Sequence, residues 1–102
     1  MLQPLDGPSA QGVIAVDNVT VKEIKIGASA LDERKVITLQ PEGKIRVLFG
    51  DGSTVPSAAT MLTDGFVHNK DVIRSYEASE KQEVYMLSDT GASVNVILAE
   101  RA

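Results

Sequence analysis

Short runs in which apolar and polar residues alternate recur along the chain. In the segment KIRVLFG, the apolar side chains of Ile45, Val47 and Phe49 alternate with those of Lys44 and Arg46. A period of two is typical of a β-strand that buries one face. Similar runs, rich in β-branched residues, occupy 12–16, 18–26, 35–40, 72–78, 83–88 and 93–100. The pattern therefore predicts about seven to eight short strands.

Turn-forming residues separate these runs at intervals of about 8–12 residues, which is typical of a sandwich or barrel. No helical periodicity extends beyond about two turns, although residues 27–34 are predicted to hold one helical turn. The expected fold is all-β: a single β-sandwich or jelly-roll-like domain. Its predicted core consists of Ile45, Val47, Phe49, Val84, Met86, Val94, Val96 and Leu98.

Residues 1–12 differ from the rest of the chain because Pro and Gly interrupt them and they show no period. They are predicted to form an extended N-terminal arm that precedes a β-sandwich domain at 13–102. Leu2, Pro4 and Leu5 are the candidate partner-binding residues of this arm. A frayed terminus explains the same composition equally well, and both interpretations stay open.

Composition excludes several function classes. The 102 residues carry a formal net charge of −4 and contain no cysteine, one histidine and four aromatic residues. A nucleic-acid surface would need clustered basic residues, and a Cys- or His-based metal site would need more ligands. No apolar stretch approaches the ~18 residues of a membrane span. We therefore expect no cofactor, no metal, no nucleic-acid partner and no membrane segment.

Asp89, Thr90 and Gly91 resemble the active-site tripeptide of retroviral-type aspartic proteases. Such chemistry needs two carboxylates that share a proton. Polar Ser88 precedes the tripeptide, and eleven residues follow Gly91, where the protease family places a flap and a second apolar loop. We therefore expect a turn between two strands, with no enzymatic activity.

Two further polar segments are predicted to be surface features. His68, the single histidine, is followed by Asn69 and Lys70 and is expected to be exposed to solvent. The loop that begins Gly50-Asp51-Gly52-Ser53 lacks the later acidic ligands of a calcium loop and is expected to be a turn.

From Lys35 onward, the order of strands and turns resembles that of small virion-associated proteins of tailed bacteriophages. The resemblance lies in KVITLQPEGKIRVLFGDGST, then LTDGF, then VIRSYEASEKQEVYMLSDTGASVNVILAE. It covers about two thirds of the chain and leaves the first 34 residues uncovered.

The resemblance implies a capsid decoration (cement) or head–tail accessory protein with a β-sandwich fold. Such a protein would be made in the host cytoplasm and located on the virion, at the capsid surface or the head–tail region. Its expected partners are the major capsid protein or other virion subunits, and it is expected to be a homo-oligomer, with a trimer possible. The alternative is a ligand-binding, carbohydrate-binding β-sandwich module. Sugar-binding modules usually expose aromatic rings, whereas the four aromatics here are expected in the core.

Overall fold

The computed structural model describes residues 9–102 and contains eight strands and one short helix in that range. In chain order these are β1 (Ser9–Val16), β2 (Lys22–Glu23), β3 (Val36–Pro41), β4 (Ile45–Phe49), α1 (Ala58–Asp64), β5 (Phe66–His68), β6 (Arg74–Glu77), β7 (Val84–Ser88) and β8 (Val94–Arg101). The prediction of an all-β chain with seven to eight short strands is confirmed.

The strands form two four-stranded antiparallel sheets. The first sheet has the order β1-β8-β3-β6 and the second has the order β2-β7-β4-β5. With the exception of the β4–β5 connection, the chain changes sheet at every step between consecutive strands. This interleaved order is that of an eight-stranded jelly roll, so the predicted sandwich or jelly-roll architecture is confirmed.

The main core lies between the two sheets, where the inward residues of each strand meet. Six of the eight predicted core residues are fully buried there: Ile45, Val47, Val84, Met86, Val96 and Leu98. Val94 is partly buried and packs against this core. The prediction for Phe49 is wrong, because its side chain is 40% exposed. Strand β5 begins at Phe66, opposite Val47, and therefore provides no strand neighbour for Phe49.

A second, smaller cluster covers the outer face of the second sheet. Met61 of α1 packs with Tyr85 and Leu87 of β7, so that β7 is buried on both faces. The hydroxyl of Ser57 accepts a hydrogen bond from the backbone N–H of Thr60 and caps the helix. The sequence pattern predicts no helix at 58–64, because a seven-residue helix is too short to show a clear period.

Two other local predictions need correction. Residues 27–34 form turns rather than a helical turn, and Glu33 has a positive φ of 58°. In the predicted strand at 18–26, only Lys22 and Glu23 pair with a neighbour. The carboxylate of Asp17 accepts hydrogen bonds from the N–H groups of Val19 and Thr20 and turns the chain there.

The boundary between arm and domain also differs from the prediction. Strand β1 begins at Ser9 and pairs with β8, so it includes residues 9–12, which the sequence analysis assigned to the arm. The predicted partner-binding residues Leu2, Pro4 and Leu5 lie outside the described residues. Across residues 9–102, no helix has the length and apolar character needed to span a membrane.

Candidate functional site

Exposed apolar side chains concentrate where the edge strands β5 and β6 meet at one side of the sandwich. Phe66 is 62% exposed and Ile73 is 67% exposed, and Val67 and Val72 are exposed near them in the sequence. Phe49 lies two residues beyond Val47, the residue that pairs with Phe66. We name Phe49, Phe66, Val72 and Ile73 the β5–β6 patch, and leave out Val67, which pairs with Arg46 and therefore points to the other face of the sheet. Large apolar side chains grouped on a surface typically mark a contact with another molecule.

Two polar rings, the buried His68 and the half-buried Tyr76, lie next to this patch. His68 is fully buried, which contradicts its predicted exposure. Its Nε2 lies 2.6 Å from the carbonyl oxygen of Val72, and its Nδ1 lies 3.0 Å from the hydroxyl of Tyr76. Because a carbonyl can only accept, Nε2 carries the proton and Nδ1 accepts from the tyrosine. The histidine therefore ties the β5–β6 connection to β6.

The electrostatics of His68 favour this neutral state. Burial lowers its pKa, and the positive charge of Arg74 lowers it further, while the hydrogen bond to Val72 raises it. Protonation would place a second N–H opposite the Tyr76 hydroxyl, which now donates. The imidazole therefore has a structural role. The polar residues Asn69 and Lys70 that follow His68 led to the prediction of an exposed side chain.

The Asp89-Thr90-Gly91 tripeptide forms a turn that carries the chain from β7 in one sheet to β8 in the other. The predicted turn is present, although it crosses between sheets and does not join paired neighbours. Gly91 has a φ of 77°, a left-handed conformation that suits glycine. The hydroxyl of Thr90 donates to the carbonyl oxygen of Ala92 and helps to close the turn.

The carboxylate of Asp89 is held by two cations. Its Oδ2 accepts a hydrogen bond from Nε of Arg46 at 2.9 Å and lies 3.4 Å from Nζ of Lys44. The hydrogen bond from Arg46 is the largest cause of the lowered pKa of Asp89. Arg46 also donates to the carbonyl oxygen of Gly65, so this cluster connects the turn to the segment between α1 and β5.

A second carboxylate, Glu100, forms a fully buried ion pair with Arg34 at 2.9 Å. Glu100 also accepts the backbone N–H groups of Ile26 and Leu31. The guanidinium of Arg34 donates in addition to four backbone carbonyl oxygens, those of Ile24, Ala78, Ser79 and Gln82. This network joins two connections, β2–β3 and β6–β7, to strand β8 at one end of the sandwich. The sequence analysis did not single out either residue.

The other loop considered in the sequence is organised by its own side chain. The carboxylate of Asp51 accepts the N–H groups of Ser53 and Thr54 and the hydroxyl of Ser53. Near it lies a cavity of about 310 Å³, with Phe49, Val55 and Pro56 in its wall. Among residues 9–102 no group of three or more His, Cys, Asp or Glu side chains is placed to hold a metal ion.

Comparison with known proteins does not assign the chain to a family. No protein-family model matches the chain. No curated protein matches it either. Among solved structures, the chain is similar to the coat protein of Tobacco streak virus, with 9% sequence identity and a TM-score of 0.40. The alignment covers 99% of this chain and 81% of the coat protein. At this identity and score, the likeness carries no conclusion about function.

Proposed function

We propose that the chain is a structural subunit of a virus particle that contacts other subunits through the β5–β6 patch. In its finer form, the proposal is a capsid decoration protein that binds the major capsid protein of an assembled bacteriophage head. The observation that carries the proposal is the exposure of Phe66, the first residue of β5, and of Ile73, the residue before β6. The sequence resemblance from Lys35 onward supports the same conclusion. The jelly-roll order alone does not, because lectins and other binding proteins share it.

The energetics of the patch suit a contact that forms on assembly. Full burial of a Phe or Ile side chain contributes about 1.5–3 kcal/mol, and side chains that are already partly covered contribute less. A few such residues provide a moderate affinity for one subunit. Many equivalent subunits on a shell, joined in a homo-oligomer such as a trimer, would bind together more tightly. The arm residues Leu2, Pro4 and Leu5 remain proposed additional anchors.

The proposed role does not include catalysis. The carboxylate of Asp89 is engaged by Arg46 and Lys44, and the imidazole of His68 is enclosed between Val72 and Tyr76. Both groups have structural partners that account for them. We therefore propose that the chain is a binding protein with no enzymatic activity.

The patch can be tested by rebinding to particles. Particles purified by density gradient from the source of this sequence are expected to contain the protein in many copies, and mild denaturant is expected to release it. Wild-type protein should rebind to the stripped particles. The double variant Phe66→Ser/Ile73→Ser should bind at least tenfold more weakly, because it loses the apolar contact area.

Val19→Ser is the matched control, because Val19 is 74% exposed but lies in the β1–β2 connection, at the other side of the sandwich. It should rebind as wild type does. Absence of the protein from purified particles would contradict the virion role. Equal rebinding of the double variant and the control would contradict the assignment of the patch.

Carbohydrate binding is the second candidate, because the structure removes one argument against it. Phe49 and Phe66 are exposed rather than used in the core, and Phe49 borders the cavity of about 310 Å³. Exposed rings are the usual stacking surfaces for sugars. A glycan array separates the two proposals: saturable binding that Phe49→Ala abolishes would favour the sugar-binding module over the virion subunit.

A further inference from the structure

The two sheets end in four edge strands that differ greatly in length. In the first sheet the edges are β1 and β6, and in the second they are β2 and β5. Strand β1 has 8 residues, whereas β6 has 4, β5 has 3 and β2 has 2. Short edge strands are one means by which proteins prevent unwanted pairing of sheets. Only β1 among these edges is long enough to provide a full strand for another chain.

The sequence of β1 also lacks the residues that usually protect an edge. Its residues, SAQGVIAV, include no charged side chain and no proline. Strand β6 carries Arg74 and Glu77, and β2 consists of Lys22 and Glu23. Charged residues and proline on an edge oppose pairing with another strand. The unprotected composition of β1 therefore favours a partner.

One side of the β1 backbone is free to form hydrogen bonds with another strand. Within residues 9–102, β1 pairs with β8 along its whole length and with no other strand. Successive residues of a strand direct their N–H and C=O groups to alternate sides, so about half of those of β1 point away from β8. An added strand would satisfy these groups and extend the sheet.

We propose that the free edge of β1 pairs antiparallel with β1 of a second copy of this chain. The two first sheets then form one continuous eight-stranded sheet about a twofold axis. Uncharged residues suit this arrangement, because a twofold axis brings each strand against itself and like charges would then meet. This inference deepens the homo-oligomer part of the proposed function and names its interface, but it does not require a virus particle.

The geometry of the sheet limits the register. Residues opposite each other in an antiparallel pair point to the same face. Gln11, Val13 and Ala15 are exposed along one phase of β1, and Val13 is 64% exposed. Near the middle of the strand, two registers keep this face continuous. Val13 lies opposite Val13 of the partner subunit, or it lies opposite Gln11 of the partner subunit.

Cysteine crosslinking tests this directly, because the chain contains no cysteine. Opposite residues of antiparallel strands have Cα atoms about 4.5–5.5 Å apart, which is within the range that a disulfide spans. Under mild oxidation we expect a covalent dimer either from Val13→Cys alone or from a mixture of Val13→Cys and Gln11→Cys. Val19→Cys is the control, because it is at least as exposed but lies outside β1. It should remain almost entirely monomeric on non-reducing gels.

A second measurement separates this interface from the β5–β6 patch. In sedimentation velocity, wild type is expected to form a dimer of twice the 10.9 kDa chain mass. Val13→Lys should weaken the dimer at least tenfold, whereas Val19→Lys and Phe66→Ser should leave it unchanged. A monomeric wild type with no crosslink would overturn the inference. A dimer broken by Phe66→Ser and not by Val13→Lys would also overturn it, while the proposed function would stand.

Discussion

Two carboxylates of this protein, Glu100 and Asp89, each pair with an arginine at 2.9 Å, yet their surroundings differ. Both partners of the Glu100–Arg34 pair have 0% side-chain exposure, whereas both partners of the Asp89–Arg46 pair have 21%. Glu100 and Arg34 complete their hydrogen bonding with backbone groups from two connections, β2–β3 and β6–β7. Asp89 shares its charge with Lys44, whose side chain reaches solvent.

The difference shows how burial changes the energetic cost of losing one partner of an ion pair. In the interior, an unpaired charge cannot regain its hydration, so loss of one partner is costly even where the intact pair adds little net stability. At the surface, water and salt replace a lost partner. The network around Glu100 therefore controls whether one end of the sandwich holds together. The cluster around Asp89 affects only the local stability of a turn.

Removal of the buried carboxylate should have the largest effect. Glu100→Ala leaves Arg34 charged and buried, along with the N–H groups of Ile26 and Leu31. We expect a loss of about 3–5 kcal/mol in the free energy of unfolding, measured by chemical denaturation. Asp89→Ala, the matched change at the exposed pair, should cost about 1 kcal/mol or less.

A double variant distinguishes the cost of an orphaned charge from the value of the pair. Arg34→Met/Glu100→Leu removes both charges and should regain part of the stability that Glu100→Ala loses. Equal stability of Glu100→Ala and Asp89→Ala would show that burial does not separate the two carboxylates, and would refute this comparison.

The sequence predicted the strands better than it predicted these two sites. Alternation at Ile45 and Val47 identified β4 and its buried face, because burial on one face leaves a period of two in the sequence. Asp89 attracted attention because it begins a known tripeptide. Glu100 did not, because its partner Arg34 lies 66 residues away and only the folded chain brings them together.

His68 and Phe49 are two residues whose exposure the sequence pattern predicts wrongly. His68 precedes polar residues in the sequence but lies in the interior, because its partners Val72 and Tyr76 enclose it only after the chain crosses between sheets. Phe49 continues the alternation of the buried residues Ile45 and Val47 but remains exposed, because β5, the strand on one side of β4, does not extend as far as Phe49. The β5–β6 patch depends on where strands end, which periodicity cannot specify.

Exchange of arginine for lysine should give the next largest difference between the two pairs. Arg34 donates to Glu100 and to four backbone carbonyl oxygens, and an ammonium group offers only three donors on a different geometry. We expect Arg34→Lys to lower the free energy of unfolding by about 2–3 kcal/mol, since buried carbonyls lose their partners.

Arg46→Lys is the matched change, and it should cost less than about 1 kcal/mol, because Lys can still reach Asp89 and water is close. Both values are obtained from urea unfolding curves at one pH. A cost for Arg46→Lys that equals or exceeds that for Arg34→Lys would mean that donor number and burial do not decide the outcome.

The smallest expected effect is that of Asp89→Asn, and its pH dependence identifies its origin. The hydrogen bond from Arg46 and the nearby Lys44 lower the pKa of Asp89 below its ordinary value. A lowered pKa in the folded state stabilises the protein at pH values above the unfolded value of about 3.9, and this contribution disappears as the pH falls through the folded value. At pH 7 we expect a loss of about 0.5–1 kcal/mol.

The same variant tests whether this carboxylate does anything besides hold its turn. Unfolding measured at pH 7 and at successively lower pH should show the difference between Asp89→Asn and wild type shrink as the pH falls below about 3.9, because the unfolded wild type then takes up a proton and the contribution of the charge is progressively lost. Arg46→Met/Asp89→Asn should be little less stable than Arg46→Met alone, since the main partner is then absent.

Neither wild type nor Asp89→Asn should cleave a peptide library in acid. Cleavage by wild type that Asp89→Asn abolishes would give Asp89 a catalytic role and contradict its assignment as a turn residue.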